Sequence, residues 1–160
     1  MLTIAYDEDM AVIDDIKTIL GNTQDSQHTK TEALGKVLIV EDEPILREMY
    51  QDKFVHEGFV VVTAENGKVG LEKTLSEKPD VIILDLMMPV MDGKVMLQKL
   101  REYPEFKKLP VMILTNAGEV ENIRETQRYD NAREFLIKSN VTVDEVVKRT
   151  KFWLPTAKIK

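Results

Sequence analysis

Three stretches of the chain are apolar without alternation: Val37-Leu38-Ile39-Val40, Val81-Ile82-Ile83-Leu84 and Val111-Met112-Ile113-Leu114. A strand with one wet face alternates polar and apolar residues, so uninterrupted runs of this length predict strands covered on both faces, as in a parallel sheet between helix layers. Phe59-Val60-Val61-Val62-Thr63 is β-branched and reads as a further strand, and 134–137 as the last. Between these runs the apolar residues recur at helical spacing. Pro44 opens a helix carrying Ile45, Leu46, Met49, Tyr50, Phe54 and Val55, and Gly58 ends it. Further helices are predicted over 68–77, 93–102, 119–128 and 142–153, the last turning Val143, Val146, Val147, Phe152 and Trp153 inward. Five strands alternating with five helices predict an α/β, doubly wound parallel sheet over 36–154.

The first 35 residues follow another pattern. Leu2-Thr3-Ile4-Ala5 suits a short strand, and Val12, Ile13, Ile16, Ile19 and Leu20 suit a helix ending at Gly21. The polar run 21–31 reads as a linker, which places a boundary near Gly35. One strand and one helix cannot bury a core alone, so this extension is expected to dock on the main domain, pair with another chain or belong to a larger unit. Residues 155–160 form a short tail.

Composition narrows the chemistry. The chain has 160 residues, 43% of them hydrophobic, which is enough for one domain with a buried core. No apolar run approaches membrane-spanning length, and Asp7, Glu8 and Asp9 stand where a signal peptide would be basic, so a cytoplasmic protein without membrane insertion is expected. With no cysteine and only His28 and His56, thiolate and histidine-rich metal sites are excluded. The net charge of −6 offers no footprint for nucleic acid. Seven acidic and two basic residues fall in 1–35. Any metal bound should be a hard ion held by oxygen.

Open parallel sheets bind ligands beyond the carboxyl ends of their strands. That rule selects Glu41, Asp42 and Glu43 after the first strand, Asp85 after the third, Thr115 after the fourth and Lys138 after the fifth. If the strand order is 2-1-3-4-5, the acids at 41, 42 and 85 converge. Clustered carboxylates repel unless a cation neutralises them, and oxygen donors alone favour Mg²⁺ over zinc. Carboxylates, a hard cation, an ammonium and a hydroxyl suit a phosphoryl group, with Asp85 as a nucleophile already ionised at neutral pH. Each residue alone has a plainer reading. Glu43 and Asp42 could favour a helix N-terminus, Thr115 could cap a helix, and Lys138 could be a solvated loop lysine. Those readings do not explain why all fall at strand ends, nor an aspartate closing a wholly apolar run.

These residues resemble a two-component response-regulator receiver domain. Lys36-Val37-Leu38-Ile39-Val40-Glu41-Asp42-Glu43-Pro44 is similar to its first strand and acidic pair, and Val81 through Asp85 to Met88-Pro89-Val90-Met91-Asp92-Gly93 is similar to its phosphoacceptor signature. Pro110 to Thr115 and Phe135-Leu136-Ile137-Lys138 complete the likeness over 36–154. The resemblance implies a flavodoxin-like fold with strand order 2-1-3-4-5, and phosphorylation of Asp85 by a histidine kinase or phosphotransfer protein. It implies Mg²⁺ held by Glu41, Asp42, Asp85 and the Met87 backbone carbonyl, with Thr115 and Lys138 on the phosphoryl oxygens. It further implies that Thr115 and Phe135 switch the surface made by the fourth helix, fifth strand and fifth helix for partner binding. Homodimerisation stays open. Over a shorter run, Leu2 to Tyr6 and Ile13-Asp14-Asp15-Ile16 resemble the end of the N-terminal domain of secretion and pilus ATPases.

Three positions depart from the receiver pattern: Ser139 replaces a proline after Lys138, Asn116 replaces a small alanine, and Phe135 lacks a tyrosine hydroxyl. They bear on switching and on the lifetime of the acyl phosphate. Two other functions compete. A pseudo-receiver would be a constitutive interaction domain, but the set at 41, 42, 85, 115 and 138 is complete. An aspartate-nucleophile phosphohydrolase needs a second acid two residues after the nucleophile, and Met87 stands there. A signalling domain that is not an enzyme is therefore expected.

Overall fold

The computed structural model describes residues 33–116 and 132–154. The strand and helix expected within 1–20, the linker 21–31, the helix expected over 119–128 and the tail 155–160 lie outside the described residues.

Within the described residues, strands β1 (Lys36–Val40), β2 (Val60–Ala64), β3 (Val81–Asp85), β4 (Val111–Thr115) and β5 (Ala132–Ile137) form one parallel sheet in the order β2-β1-β3-β4-β5. Helices α1 (Pro44–His56), α2 (Gly67–Glu77), α3 (Gly93–Arg101) and α4 (Val143–Trp153) connect or close it, with short 3₁₀ turns at Pro104–Phe106 and Lys138–Asn140. The flavodoxin-like order expected from the resemblance is the order found.

The period-two geometry of a strand divides the core in two. Val37, Ile39, Val81, Ile83, Met112, Leu114 and Leu136 face Tyr50 and Phe54 of α1 and Val146 and Val147 of α4. Leu38, Val40, Ile82, Leu84, Val111 and Ile113 face Met96, Leu97 and Leu100 of α3, with Val69, Leu71 and Leu75 of α2 alongside. Every residue of β3 and β4 is buried, whereas edge strands β2 and β5 are mostly half-buried. That accounts for the start of β5 at Ala132, two residues earlier than the apolar pattern suggests. An edge strand needs no continuous apolar run, and its pairing to β4 breaks register between Val111 and Met112.

Local chemistry sets the helix ends. Asn66, Asp92 and Thr142 accept hydrogen bonds from the amides of Val69, Val95 and Glu145, capping α2, α3 and α4. Pro44 begins α1. Lys78 adopts φ 48° to end α2, and Gly58 adopts φ 92° before β2. One inward assignment is corrected. Phe152 is 78% exposed, because it lies about 200° around α4 from the buried Thr150 at roughly 100° per residue. Trp153 is half-buried and donates its Nε1–H to Glu134 at 2.9 Å.

Candidate phosphoacceptor site

All five strands run in one direction, so their carboxyl ends share a rim. Glu41 and Asp42 follow β1, Asp85 ends β3, Thr115 ends β4, and Lys138 follows β5. Because β1 and β3 are adjacent, one carboxylate oxygen each from Glu41, Asp42 and Asp85 lies within 4.8 Å of the others. These oxygens could hold a metal ion, and the absence of nitrogen or sulfur donors suits a hard divalent one. Glu43, by contrast, is an exposed helix-capping position, in line with its plainer reading.

Lys138 spans the rim. Its Nζ lies 2.7 Å from Asp85 Oδ2 and 2.7 Å from Glu41 Oε2, reaching over β4 from the edge of the sheet. The Met87 amide donates to Asp85 Oδ1 at 3.2 Å, and the Glu43 amide to Glu41 Oε1 at 3.4 Å. Thus both oxygens of Asp85 are oriented. Glu41 and Asp85 are each 3% exposed and Thr115 is fully buried, so these interactions act in a poorly hydrated setting. Burial pushes the Glu41 carboxyl above its usual range, against the pull of Lys138 and with a further push from Asp85. For Lys138, burial acts to lower the pKa, but hydrogen bonds to Asp85 and Glu41 outweigh it and keep the ammonium above the ordinary lysine value. Burial likewise raises the Tyr50 phenol, which also feels the charges of Lys138, Glu41 and Asp85.

The loop after Asp85 is pinned at both ends. Gly93 donates to the Leu86 carbonyl and Gly67 to the Met91 carbonyl, each at 2.9 Å. A Cβ at Gly93 would come within 2.2 Å of the Asp85 carbonyl oxygen, so only glycine allows that approach. Between them, Met91 donates to the Pro89 carbonyl at 2.8 Å across Val90, whose φ is 70°, forming a strained γ-turn. Met87 and Val90 are exposed beside the rim. Phe135 lies half-buried on β5 against the cluster that includes Ile113 and Met96.

Sequence reading did not single out Arg47. Its guanidinium Nη1 donates to the Glu41 carbonyl at 2.7 Å and the Asp42 carbonyl at 3.1 Å. The available signal was its place one helical turn past the acidic loop.

The profile of the response regulator receiver domain family matches residues 37–151. The chain belongs to that family. Among receiver relatives, it is 31% identical over 120 residues to sporulation initiation phosphotransferase F of Bacillus subtilis, covering 75% of this chain and 94% of that protein. It is 41% identical over 86 residues to the probable transcriptional regulatory protein TcrX of Mycobacterium tuberculosis, covering 54% of this chain and 36% of TcrX. The solved receiver structure of chemotaxis protein CheY4 from Vibrio cholerae superposes with a TM-score of 0.69 at 30% identity, covering 76% of this chain and all of that one. Longer relatives, one sensor histidine kinase and three regulators, are spanned over only 10% to 36% of their length. No helix among the described residues is long and apolar enough to cross a membrane.

Proposed function

We propose that this receiver domain accepts a phosphoryl group on Asp85. The observation that carries the reading is a buried aspartate whose two oxygens are aimed by Lys138 and the Met87 amide, beside two further carboxylates. In the transfer, an Asp85 oxygen forms a bond to phosphorus while the bond from phosphorus to a donor histidine nitrogen breaks. Lys138 remains protonated throughout and places fixed positive charge beside the phosphoryl oxygens. The hydroxyl of Thr115, one residue beyond the register partner of Asp85 on the neighbouring strand, would donate to another of those oxygens. Glu41, Asp42, Asp85 and the Met87 carbonyl would hold Mg²⁺, which when bound supplies charge neutralisation for the phosphoryl oxygens.

The output in this reading is a change of surface rather than turnover. Met87 offers no acid to protonate a leaving group, so hydrolysis of small phosphate esters is disfavoured. Movement of Thr115 toward the phosphate and of Phe135 inward would alter the face around β5 and α4. The donor is a histidine kinase or a phosphotransfer protein, a class consistent with the sporulation phosphotransferase among the relatives. We place the domain at 36–154 of a cytoplasmic protein, with 1–35 as an extension and 155–160 as a tail, and leave homodimerisation to experiment.

The test uses acetyl phosphate with Mg²⁺ and intact-mass detection. The protein should gain one phosphoryl group, Asp85→Asn should gain none, and Asp42→Ala should label weakly with loss of metal binding. A label that persists in Asp85→Asn overturns the assignment. No label on the unmodified protein favours the pseudo-receiver reading.

A further inference from the structure

Of the three carboxylates at the rim, two are held by their own side chains and one is not. Glu41 and Asp85 share the Lys138 ammonium and each accepts a backbone amide. Among the described residues, the Asp42 carboxylate has no hydrogen bond or ion pair. The backbone that places its Cβ is therefore what limits where it can reach.

Two side chains hold that backbone: Glu41 accepts from the Glu43 amide at 3.4 Å, and Arg47 takes the carbonyls on either side of Asp42. The Glu41 carbonyl belongs to the peptide plane entering Asp42, and the Asp42 carbonyl to the plane leaving it. Arg47 Nη1 donates to both, at 2.7 Å and 3.1 Å. The Arg47 amide also donates to the Glu43 carbonyl at 3.0 Å as the first turn of α1 closes. Three successive carbonyls thus accept from a single residue. With both flanking planes fixed, φ and ψ of Asp42 are fixed, because the peptide units themselves are rigid. That fixes the Cα–Cβ bond and so limits the carboxylate to the few side-chain rotamers about it, including the one that brings an oxygen within 4.8 Å of those of Glu41 and Asp85.

We infer that Arg47 is a positioning residue that presets Asp42 for a divalent cation, raising metal affinity without touching the metal or the phosphoryl group. The inference rests on the proposed phosphoacceptor reading. A cation site whose ligand is free to swing must fix that ligand on binding, and the ordering cost weakens affinity. Arginine suits the task because its charge survives at any working pH and its charged N–H groups bond strongly to carbonyl oxygens. Loss of groups that orient metal ligands typically weakens metal binding by about 10- to 100-fold.

The test compares the full chain with Arg47→Met, which keeps the stem and loses the donors, and Arg47→Lys, which keeps one charged donor. Two readouts are taken. The first is Mg²⁺ affinity of the unphosphorylated protein by titration calorimetry. The second is the Mg²⁺ dependence of acetyl phosphate labelling, resolved into half-saturating concentration and maximal rate. Arg47→Met should weaken Mg²⁺ binding by about tenfold or more, raise the half-saturating Mg²⁺ by the same factor and leave the maximal rate within about twofold. Arg47→Lys should fall between Arg47→Met and the unmodified protein, and it also serves as the deciding variant if Arg47→Met fails to fold. Unchanged Mg²⁺ affinity in the folded variants overturns the inference. So does an equal loss of maximal rate at saturating Mg²⁺, which marks a general structural defect. An unmodified protein that neither binds Mg²⁺ nor labels refutes the phosphoacceptor reading instead, so the two failures are distinguishable.

Discussion

Val90 carries an unusual combination: a β-branched side chain, 80% exposed, on a residue with φ 70°. Left-handed backbone costs an L-residue about 1–2 kcal/mol, and the exposed side chain gives little burial in return. Val90→Gly removes that strain and restores about 0.5–1 kcal/mol of chain freedom to the unfolded state. The variant should therefore be more stable by roughly 0.5–1 kcal/mol, measured by urea denaturation. Gly93 is the opposite case. Its Cβ position collides with the Asp85 carbonyl at 2.2 Å, a backbone atom that cannot turn aside. Gly93→Ala should lower stability by several kcal/mol, of the order of a severe overpacking defect, and reduce labelling of Asp85 as the loop is displaced.

At the scale of elements, α1 and α4 are joined by charges as well as by the shared core. Glu57, at the C-terminal end of α1, receives Lys53 at 3.1 Å and Lys151 of α4 at 2.8 Å, and Lys53 also reaches Asp144 at 2.6 Å. Hydrogen bonds from Lys151 and Lys53 hold the Glu57 carboxyl at about 2, below the ordinary 4.5. A depressed carboxyl stabilises the fold above its unfolded pKa and ceases to do so as pH falls through its folded one. The stability difference between the protein and Glu57→Gln should therefore be full above pH 4.5 and shrink as pH falls toward about 2. Denaturation midpoints across that range measure it. All three charged groups are in part open to solvent, with side chains 27–37% exposed, so added salt should diminish the same difference.

Considered whole, the domain closes where it opens. A Cβ at Gly35, just before β1, would lie 3.0 Å from Leu154, just after α4, and Leu154 is buried with Val81 and Phe59 in the same cluster. Leu154→Ala should cost about 2–4 kcal/mol, read by denaturant unfolding. Much of this architecture was legible from residue order. Three unbroken apolar runs meant covered strands, and acids and a lysine at strand ends meant one charged rim. What stayed hidden depended on contacts no local pattern encodes. Phe152 looked like core because aromatics usually are, but the angle around α4 turns it outward. Ala132 and Arg133 did not look like strand, since an edge position asks little of its side chains. Arg47 looked like an ordinary helix surface residue, because its partners are carbonyls and carbonyls leave no mark in a sequence.

The reach of Lys138 has a mechanical consequence. Starting beyond the outermost strand and anchoring on the first and third, it works as a tie rod over the roof of the sheet. Both of its anchors are ion pairs of 2.7 Å, so a change at either one alters the other. In the proposed reading, a change of charge at Asp85 would act first on β5, which carries Phe135 three residues upstream, because that strand has a neighbour on one side only whereas β1 and β3 are paired on both.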